Sequence, residues 1–357
     1  MMFGIEDSRI LHEDSGRNLR IIARDVYSDE FVAHLEDTTF GTAGLRYRRL
    51  GVREQLDRVQ DGVFIELEQA GSLVGTYVLV GSRLHGAGAD TTGLYRGLLS
   101  IRPDMRGKGL GRLLVTGTFD WLASLSRGSA QALVSWGCIE RANTHSLRLL
   151  GSLGATAVGS LESLTAYVQW PRNRVAVDEL DDSAATEITD AVQGTLDDCG
   201  LRLASTPRGR YFAVTSGNSI VAGARATLTH VDMATTGSAW DSMYRYLLRF
   251  VPAARRRFDP SNFTYLRLTD IVIREGEERL WKDFLATILA RHDAHMAMFV
   301  LDARSTARAR LDRAGLFGRL TASTRQEVVV LANAWNLPAK SLGEASTKPL
   351  GIGPLDI

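Results

Sequence analysis

The sequence predicts an α/β (α+β) protein in which one domain occurs twice. Three observations carry that expectation. Runs with strand-like alternation are interleaved with segments of helical spacing. The order of these elements recurs after about 160 residues. The 357 residues also exceed the size of one typical core.

In chain order, LRIIARDVYSDEFVAHLE (19–36) reads as a strand followed by a helix, and the polar, Arg-rich residues 46–58 as a loop. VFIELEQAGSLVGTYVLVGSRL (63–84) reads as a hairpin folded about Ala70-Gly71-Ser72. GLYRGLLSI (93–101) is the next strand. After a Gly-rich loop, GRLLVTGTFDWLASLSRG (111–128) has helical apolar spacing. ALVSWGCI (132–139) is an apolar strand, and Asn143 and Thr144 start a helix that runs towards Leu153, with Gly154 as its stop.

The same order returns. FAVTSGNSIVAGA (212–224) follows FIELEQAGSLVGT (64–76), with Gly223 on Gly75. YLRLTDIVI (265–273) is a strand before a helix at about 278–291, and AMFVLDA (297–303) matches 132–139. Setting Gly315 on Gly154 aligns ARARLDRAGLF (307–317) with SLRLLGSLGA (146–155) without a gap, placing Ala307 on Ser146 and Leu311 on Leu150. The expected division is residues 1–172, residues 173–340 and a tail, 341–357. Pro and charges at QWPRNR (169–174) mark the boundary, and the turn-rich tail reads as a loose or draped extension.

Composition narrows the function. A hydrophobic share of 45% and a charged share of 23% are those of an ordinary globular chain. With a net charge of +1, nothing global argues for nucleic acid or acidic membranes as partners, and neither is expected. Of the 42 basic residues, only Lys108, Lys282, Lys340 and Lys348 are lysines, a bias of composition and not of a site. Cys138 and Cys199 suggest neither a disulfide framework nor a metal site. The start, MMFGIEDSRILHEDSG, lacks the apolar core of a signal peptide, and no apolar run approaches the ~20 residues that span a bilayer. A cytoplasmic protein, monomer or homodimer, is expected.

The informative stretch is IRPDMRGKGLGRLL (101–114). A helix start presents unpaired N–H groups and the positive end of its dipole. Gly107, Gly109 and Gly111 let the preceding backbone approach a phosphate without Cβ interference, while Arg106 and Arg112 add charge from the rim. A strand, this loop and a helix therefore read as a pyrophosphate cradle. Its spacing matches neither G-x-x-x-x-G-K-[ST] nor G-x-G-x-x-G. A turn that merely joins strand to helix is the alternative for the glycines alone.

Arg106-Gly107-Lys108-Gly109-Leu110-Gly111 resembles the R/Q-x-x-G-x-G/A signature of the GNAT acetyltransferase superfamily. Asn143-Thr144-His145-Ser146, ending at Gly154-Ala155, is similar to that family's downstream N-x-x-S/A motif. The resemblance covers about residues 60–160 and is fainter over 175–325. It implies two tandem GNAT-like domains, each a mixed, mostly antiparallel sheet with flanking helices. It also implies acetyl-CoA or another acyl-CoA as cosubstrate. The backbone of Arg106, Gly107, Lys108, Gly109, Leu110, Gly111 and Arg112 would hold the pyrophosphate. Leu99 and Ile101 would pair with the pantetheine arm in the splay between two strands, with Asn143 and Ser146 on the other side.

The chemistry implied is direct attack of an amine on the thioester, which needs a base, an oxyanion donor and an acid for the thiolate. Here the chain departs from the family. The usual Tyr is Leu150, the aromatic after the terminal glycine is Ala155, and the frequent Glu positions hold no acid, one of them being Cys138. Glu140, His145 and Glu66 are the acid–base candidates, with Glu68 and His85 behind them; a solvated or structural role is the alternative for each. Cys138 reads as a small apolar residue before a nucleophile.

In the second copy the loop reads Ile273-Arg274-Glu275-Gly276-Glu277-Glu278-Arg279-Leu280. One glycine replaces three, carboxylates stand where a diphosphate would be, and Arg304 replaces Asn143. The second domain is expected to keep the fold and lose the cofactor. WDSMYRYLLRF (240–250) in its expanded connection reads as an interface helix, or else as a lid or acceptor wall, and Arg255-Arg256-Arg257 after it as a third option, a basic patch for the 3′-phosphate of CoA or an acidic carrier partner. The function expected is transfer of an acetyl group from acetyl-CoA to a small-molecule primary amine. A longer acyl chain, or an acyl-CoA-binding sensor without turnover, are the alternatives.

Overall fold

The computed structural model describes residues 7–41, 46–59, 61–86, 91–128, 132–168, 170–181, 184–196, 198–203, 210–217, 219–233, 259–317, 325–337 and 339–351. Both 240–250 and the arginines 255–257 lie outside them. In chain order the first half contains β1 (Ser8–Asp14), β2 (Leu19–Arg24), α1 (Asp29–Asp37), β3 (Thr39–Phe40), β4 (Tyr47–Arg49), α2 (Val52–Asp57), β5 (Gly62–Gln69), β6 (Ser72–His85), β7 (Thr91–Ile101), α3 (Leu110–Arg127), β8 (Leu133–Glu140), α4 (Thr144–Ser152) and β9 (Thr156–Tyr167). The second half contains β10 (Asp178–Leu180), α5 (Ala185–Thr195), β11 (Leu201–Leu203), β12 (Tyr211–Ser216), β13 (Ser219–Asp232), β14 (Phe263–Ile273), α6 (Leu280–Arg291), β15 (Met296–Leu301), α7 (Thr306–Arg313), β16 (Gln326–Trp335), α8 (Ala339–Ser346) and β17 (Leu350–Gly351).

Local chemistry explains most boundaries. Ala70 and Gly71 both have positive φ, 51° and 77°, as a two-residue turn that follows the twist of β5 and β6 requires. Ser28, Asn143 and Ser305 cap α1, α4 and α7 by accepting from Phe31, Ser146 and Arg308 N–H. Gly154 and Gly315 close α4 and α7 in the left-handed conformation, φ 82° and 64°. Behind them Ala155 N–H donates to Leu150 O and Leu316 N–H to Leu311 O, the same helix stop in both copies. The aligned Leu150 and Leu311 are both buried.

The strands form one mixed, mostly antiparallel sheet. Its backbone runs β1-β2-β5-β6-β7-β8-β16-β9-β15-β14-β13-β12-β10. Only β7–β8 and β14–β15 are parallel along that run. The order is the same read inward from β2 or from β10, which is the duplication made visible. The centre adds something periodicity did not contain. β16, from the second half, is inserted between β8 and β9 of the first, and β9 pairs on its other edge with β15 of the second. Each half thus supplies a strand to the sheet of the other. Glu162 of β9, 5% exposed, is gripped by Arg308 and Arg325 of the second half.

Helices cover both faces. In the first half α3 and α4 bury Leu114, Val115, Leu122 and Leu150 against one face. Helices α1 and α2 bury Phe31, Leu35, Val52 and Leu56 on the other. In the second half α6 and α7 bury Trp281, Phe284, Leu285 and Leu311 on one face, and α5 buries Ile188 and Val192 opposite. Among the described residues no helix is long and apolar enough to cross a membrane.

Three sequence readings need correction. Residues 8–14, read only as a polar start, form edge strand β1, whose residues are exposed or half-buried and so show no apolar alternation. The 46–58 loop holds β4 and α2, because Val52 and Leu56 at helical spacing are both 1% exposed. The tail is not loose as far as Gly351. α8 and β17 fold back, β17 pairs with β11, β11 pairs with β6, and Leu350 is 3% exposed.

A buried carboxylate holds that tail. Asp302, 2% exposed, accepts from Arg304 N–H, from the Arg304 guanidinium at 2.8 Å, and from Leu350 N–H at 2.9 Å. Burial pushes its pKa up, but these donors outweigh burial and hold it below the ordinary carboxylate value. A lowered folded-state pKa contributes stability above the unfolded-state value and loses it as pH falls through the folded one. Asp302→Ala should therefore cost ~1–3 kcal/mol at neutral pH, as expected for orphaned buried donors. The difference in melting temperature from wild type should narrow in acid, below pH ~4. Parallel melting curves across that range would refute the assignment.

Candidate active site

The site begins where two parallel strands part. β7 and β8 pair only from Thr92–Leu133 to Tyr95–Trp136. Beyond that level each follows its outer neighbour, β7 along β6 to Gly75–Ile101 and β8 along β16 to Val328–Glu140. The result is a wedge walled by residues 96–101 and 137–140. A bulge sharpens it. The β6–β7 register shifts between Thr76 and Val78, Leu98 takes φ 53°, and the Thr76 hydroxyl donates to Leu98 O.

At the mouth of the wedge a short 3-10 turn, Pro103–Met105, leads into the glycine loop and α3. Gly107 and Gly109 have φ 78° and 77°, and a Cβ on either would meet nothing within 4 Å. Both glycines are thus required by backbone conformation and leave the space above them clear. Gly109 is the N-cap of the 18-residue α3 and has no side chain to bond the helix end. The first intrahelical bond there runs from Leu113 N–H to Gly109 O, which leaves the N–H groups of the first turn for a ligand. Leu110, 5% exposed, anchors the turn, and Gly111 packs over Ile101. Arg106 donates through Nε to Ile101 O at 3.0 Å, and Lys108 lies against Met105 Sδ. An exposed, positive nest with no Cβ in its way fits a diphosphate, and the wedge behind it fits an extended arm.

The side walls come from several elements. On α4, Asn143 Oδ1 accepts from Ser146 N–H at 3.1 Å, so Asn143 is the helix cap, and its own N–H donates to Glu140 O. Glu140 ends β8, half-buried, and His145 is exposed in the first turn of α4. Glu66 lies elsewhere. It is on β5, two strands from β7, 3% exposed, and its carboxylate accepts from Arg24 and from Ser28, each at 2.6 Å. Glu68 pairs with Arg20 and Arg24, and His85 is exposed at the far end of β6. The structure thus groups Glu140, Asn143, His145 and Ser146 at one end of β8 and ties Glu66 and Glu68 to β2, with Glu66 also bonded to the α1 cap. At Leu150, where the family's Tyr is missing, the side chain is buried in the apolar core.

Sequence reasoning missed the α1 side. Ser100 and Thr38 bond through their hydroxyls at 2.9 Å, and Thr38 donates to His34 O. Nearby, His34 Nε2 is buried without an acceptor or donor, and burial, then the charge of Arg102, lowers its pKa. It also did not foresee which strands of the second half lie here. β4 pairs with β13 through Arg49–Val231 and Arg48–Asp232, so the α1–α2 connection of one half is bordered by the other. Arg267 of β14 acts electrostatically on both Tyr95 and Cys138.

The equivalent loop of the second half keeps the shape and fills it. Gly276 has φ 88°, but the Glu278 carboxylate is held by its own N–H, by Arg313 at 3.0 Å and by Gly276 N–H, which lower its pKa. An internal carboxylate occupies the nest that stays open in the first half. Arg304, the counterpart of Asn143, is turned to Asp302 and to the carbonyl of Lys348.

The thiols can be tested directly. Burial pushes Cys138 and Cys199 each up to about 12, against Arg267 and Arg96 for Cys138. Both should alkylate slowly in native protein at pH 8 and readily once it is unfolded, since the thiolate is the reactive form. Rapid modification of Cys138 in the native state would show that the wall of the wedge is open and polar.

Comparison with known proteins agrees with this geometry. The model of the acetyltransferase (GNAT) family matches residues 24–155. Among solved structures, yeast (Saccharomyces cerevisiae) N-myristoyltransferase with bound myristoyl-CoA is similar over 90% of this chain and 83% of its own, with TM-score 0.61 and 8% identity. A second structure of that enzyme, with myristoyl-CoA and inhibitors, covers 90% and 81% with TM-score 0.60 and 8% identity. At such identity the likeness is one of fold. No curated protein matches the chain. Residues 24–155, the span similar to the acetyltransferase (GNAT) family model, contain the wedge and the glycine loop.

Proposed function

We propose that the chain is an N-acyltransferase that moves an acetyl group from acetyl-CoA to a small-molecule primary amine in the cytoplasm. The observation that carries the acyl-CoA part is the contrast between two equivalent loops. One is an open nest of left-handed glycines on a free helix start; the other is filled by Glu278. In this reading residues 1–172 bind the cosubstrate and carry the chemistry, residues 173–340 shape the acceptor side, and residues 341–357 form the tail.

The backbone of Arg106 to Arg112 would hold the diphosphate, with Arg106 and Arg112 at the rim. Leu99 and Ile101, past the bulge, would pair with the pantetheine arm, and Asn143 and Ser146 would border it from α4. The cosubstrate supplies an activated acyl group. The protein's part is to orient it, exclude water and receive the proton that the amine gives up. Glu140 and His145, at the open end of β8, are the residues placed for that proton. Glu66, tied to Arg24 and the α1 cap, has a structural task.

CoA and acetyl-CoA should each raise the melting temperature, by ~2.7 kcal/mol of stabilisation at one hundred times Kd. Gly109→Glu should abolish the shift, since it forces a side chain into a left-handed position at a cost of ~1–2 kcal/mol and places a carboxylate in the nest. Release of free CoA thiol against a panel of amines then reads turnover. A wild-type protein that no CoA species stabilises would refute the reading. Tight binding without turnover against any amine would favour an acyl-CoA sensor, and preference for a longer chain would replace acetyl.

A further inference from the structure

We propose that Arg96 is the charge-stabilising residue of acyl transfer, holding a buried positive charge at the vertex of the β7–β8 wedge where the thioester is cleaved. The proposal rests on the acyl-CoA reading above and adds a residue that no family motif contains. Arg96 is the first residue of β7 beyond the last paired level, Tyr95–Trp136, and Gly137 is its counterpart on β8. Its side chain passes across Gly137 and reaches β16, where the guanidinium donates to Asn333 Oδ1 at 2.9 Å and Leu331 O at 2.8 Å. It lies 5.0 Å from the centre of the Phe119 ring, with Tyr77 beside it.

The surroundings of this cation are unusual for a structural arginine. Arg96 is 4% exposed, and among the described residues no carboxylate pairs with it. Its partners are an amide oxygen, a carbonyl, a hydroxyl and a ring face, which orient the charge without cancelling it. Burying an unpaired guanidinium costs free energy that an apolar residue at the same place avoids. One donor also remains unused, because the buried Nε has no acceptor. It faces Gly137, where a Cβ would stand 3.8 Å from Nε and 3.4 Å from Arg96 O. A side chain at residue 137 would stand against this donor, and glycine leaves only backbone between it and the wedge.

The direction of the wedge places the reaction there. The diphosphate nest is at the open end, so the end of the arm remote from the phosphates points to the vertex. In the transfer the amine nitrogen forms a bond to the carbonyl carbon and the carbon–sulfur bond breaks. The electron pair leaves on sulfur, and the proton that the amine gives up passes to Glu140 or His145, as proposed above. Negative charge develops first on the carbonyl oxygen and then on sulfur. A fixed cation in a water-poor site stabilises both without reorganising at the moment of reaction. Arg96 thereby supplies electrostatically what the apolar Leu150 does not supply as an acid. The cation itself transfers no proton.

Two readouts separate this role from that of a strut holding β16. Arg96→Met should lower kcat by ~10²–10³-fold, the range for losing one oxyanion donor. KM for acetyl-CoA should change by less than about threefold, and Arg96→Lys should recover part of the loss. Independently of turnover, ultraviolet titration of the thiol of bound CoA should give a lower pKa in wild type than in Arg96→Met. Unchanged kcat in a folded Arg96→Met, or identical titration of the bound thiol in both proteins, would overturn the proposal. If Arg96→Met does not fold, Gly137→Ala keeps the charge and covers Nε. It should reduce kcat by at least about tenfold with CoA binding retained, and unchanged kcat would again overturn the proposal. Absence of CoA binding in wild type is a different result and refutes the acyl-CoA reading instead.

Discussion

At the centre of the sheet β9 and β16 lie side by side, Leu161 opposite Val328 and Gly159 opposite Val330, each paired outward with the other half of the chain. This antiparallel exchange is the constraint on which the rest depends. It makes one continuous sheet of two repeats, so neither half completes its own ladder. It also decides the shape of the site. β8 leaves β7 and opens the wedge while β16 holds its other edge along the whole length to Glu140. The second half pairs the outer edge of β8 and so keeps the strand in the sheet where its inner edge leaves β7.

The exchange also carries side chains across the boundary. Glu162 on β9 meets Arg308 and Arg325, and Arg96 on β7 reaches Asn333 on β16. Asn333 in turn donates to Leu153 O at the end of α4. The second half therefore touches the vertex of the first half's wedge without having an open nest of its own. The two copies keep the same backbone devices, including the bulge residues Leu98 and Asp270 at positive φ. They differ in what fills the loop at the following helix. Gly107 and Gly109 leave the space over the first loop clear, whereas in the second Glu278 places a carboxylate against the loop's own N–H groups. A few side chains on a common frame separate an open loop from a filled one.

Much of the fold was legible because its signals are local. The 70–72 turn, the Asn143 cap and the Gly154 and Gly315 stops each depend on neighbours within a few residues, and the structure has all of them. The glycine loop was legible for the same reason. The edge strand β1 was not, because an exposed strand buries no face and shows no alternation. Helix α2 was hidden by its polar residues, and the tail by its turn-rich composition, although Leu350 is core. Among the acid–base candidates, Glu66 had the right residue type but its partners, Arg24 and Ser28, are distant in sequence and appear only when β2, α1 and β5 meet.

By itself the sequence determined the repeat, the order of elements and the place of a left-handed glycine loop at a helix start, because backbone freedom, capping and apolar period are written residue by residue. Only the tertiary structure decided which half completes which sheet, where β7 and β8 part, and which charges are buried at the vertex. Those depend on pairing between strands far apart in the chain. Neither Arg96 nor Gly137 nor Asn333 carries a motif; what distinguishes them is that folding brings a cation, a missing side chain and an amide oxygen to one level of the sheet.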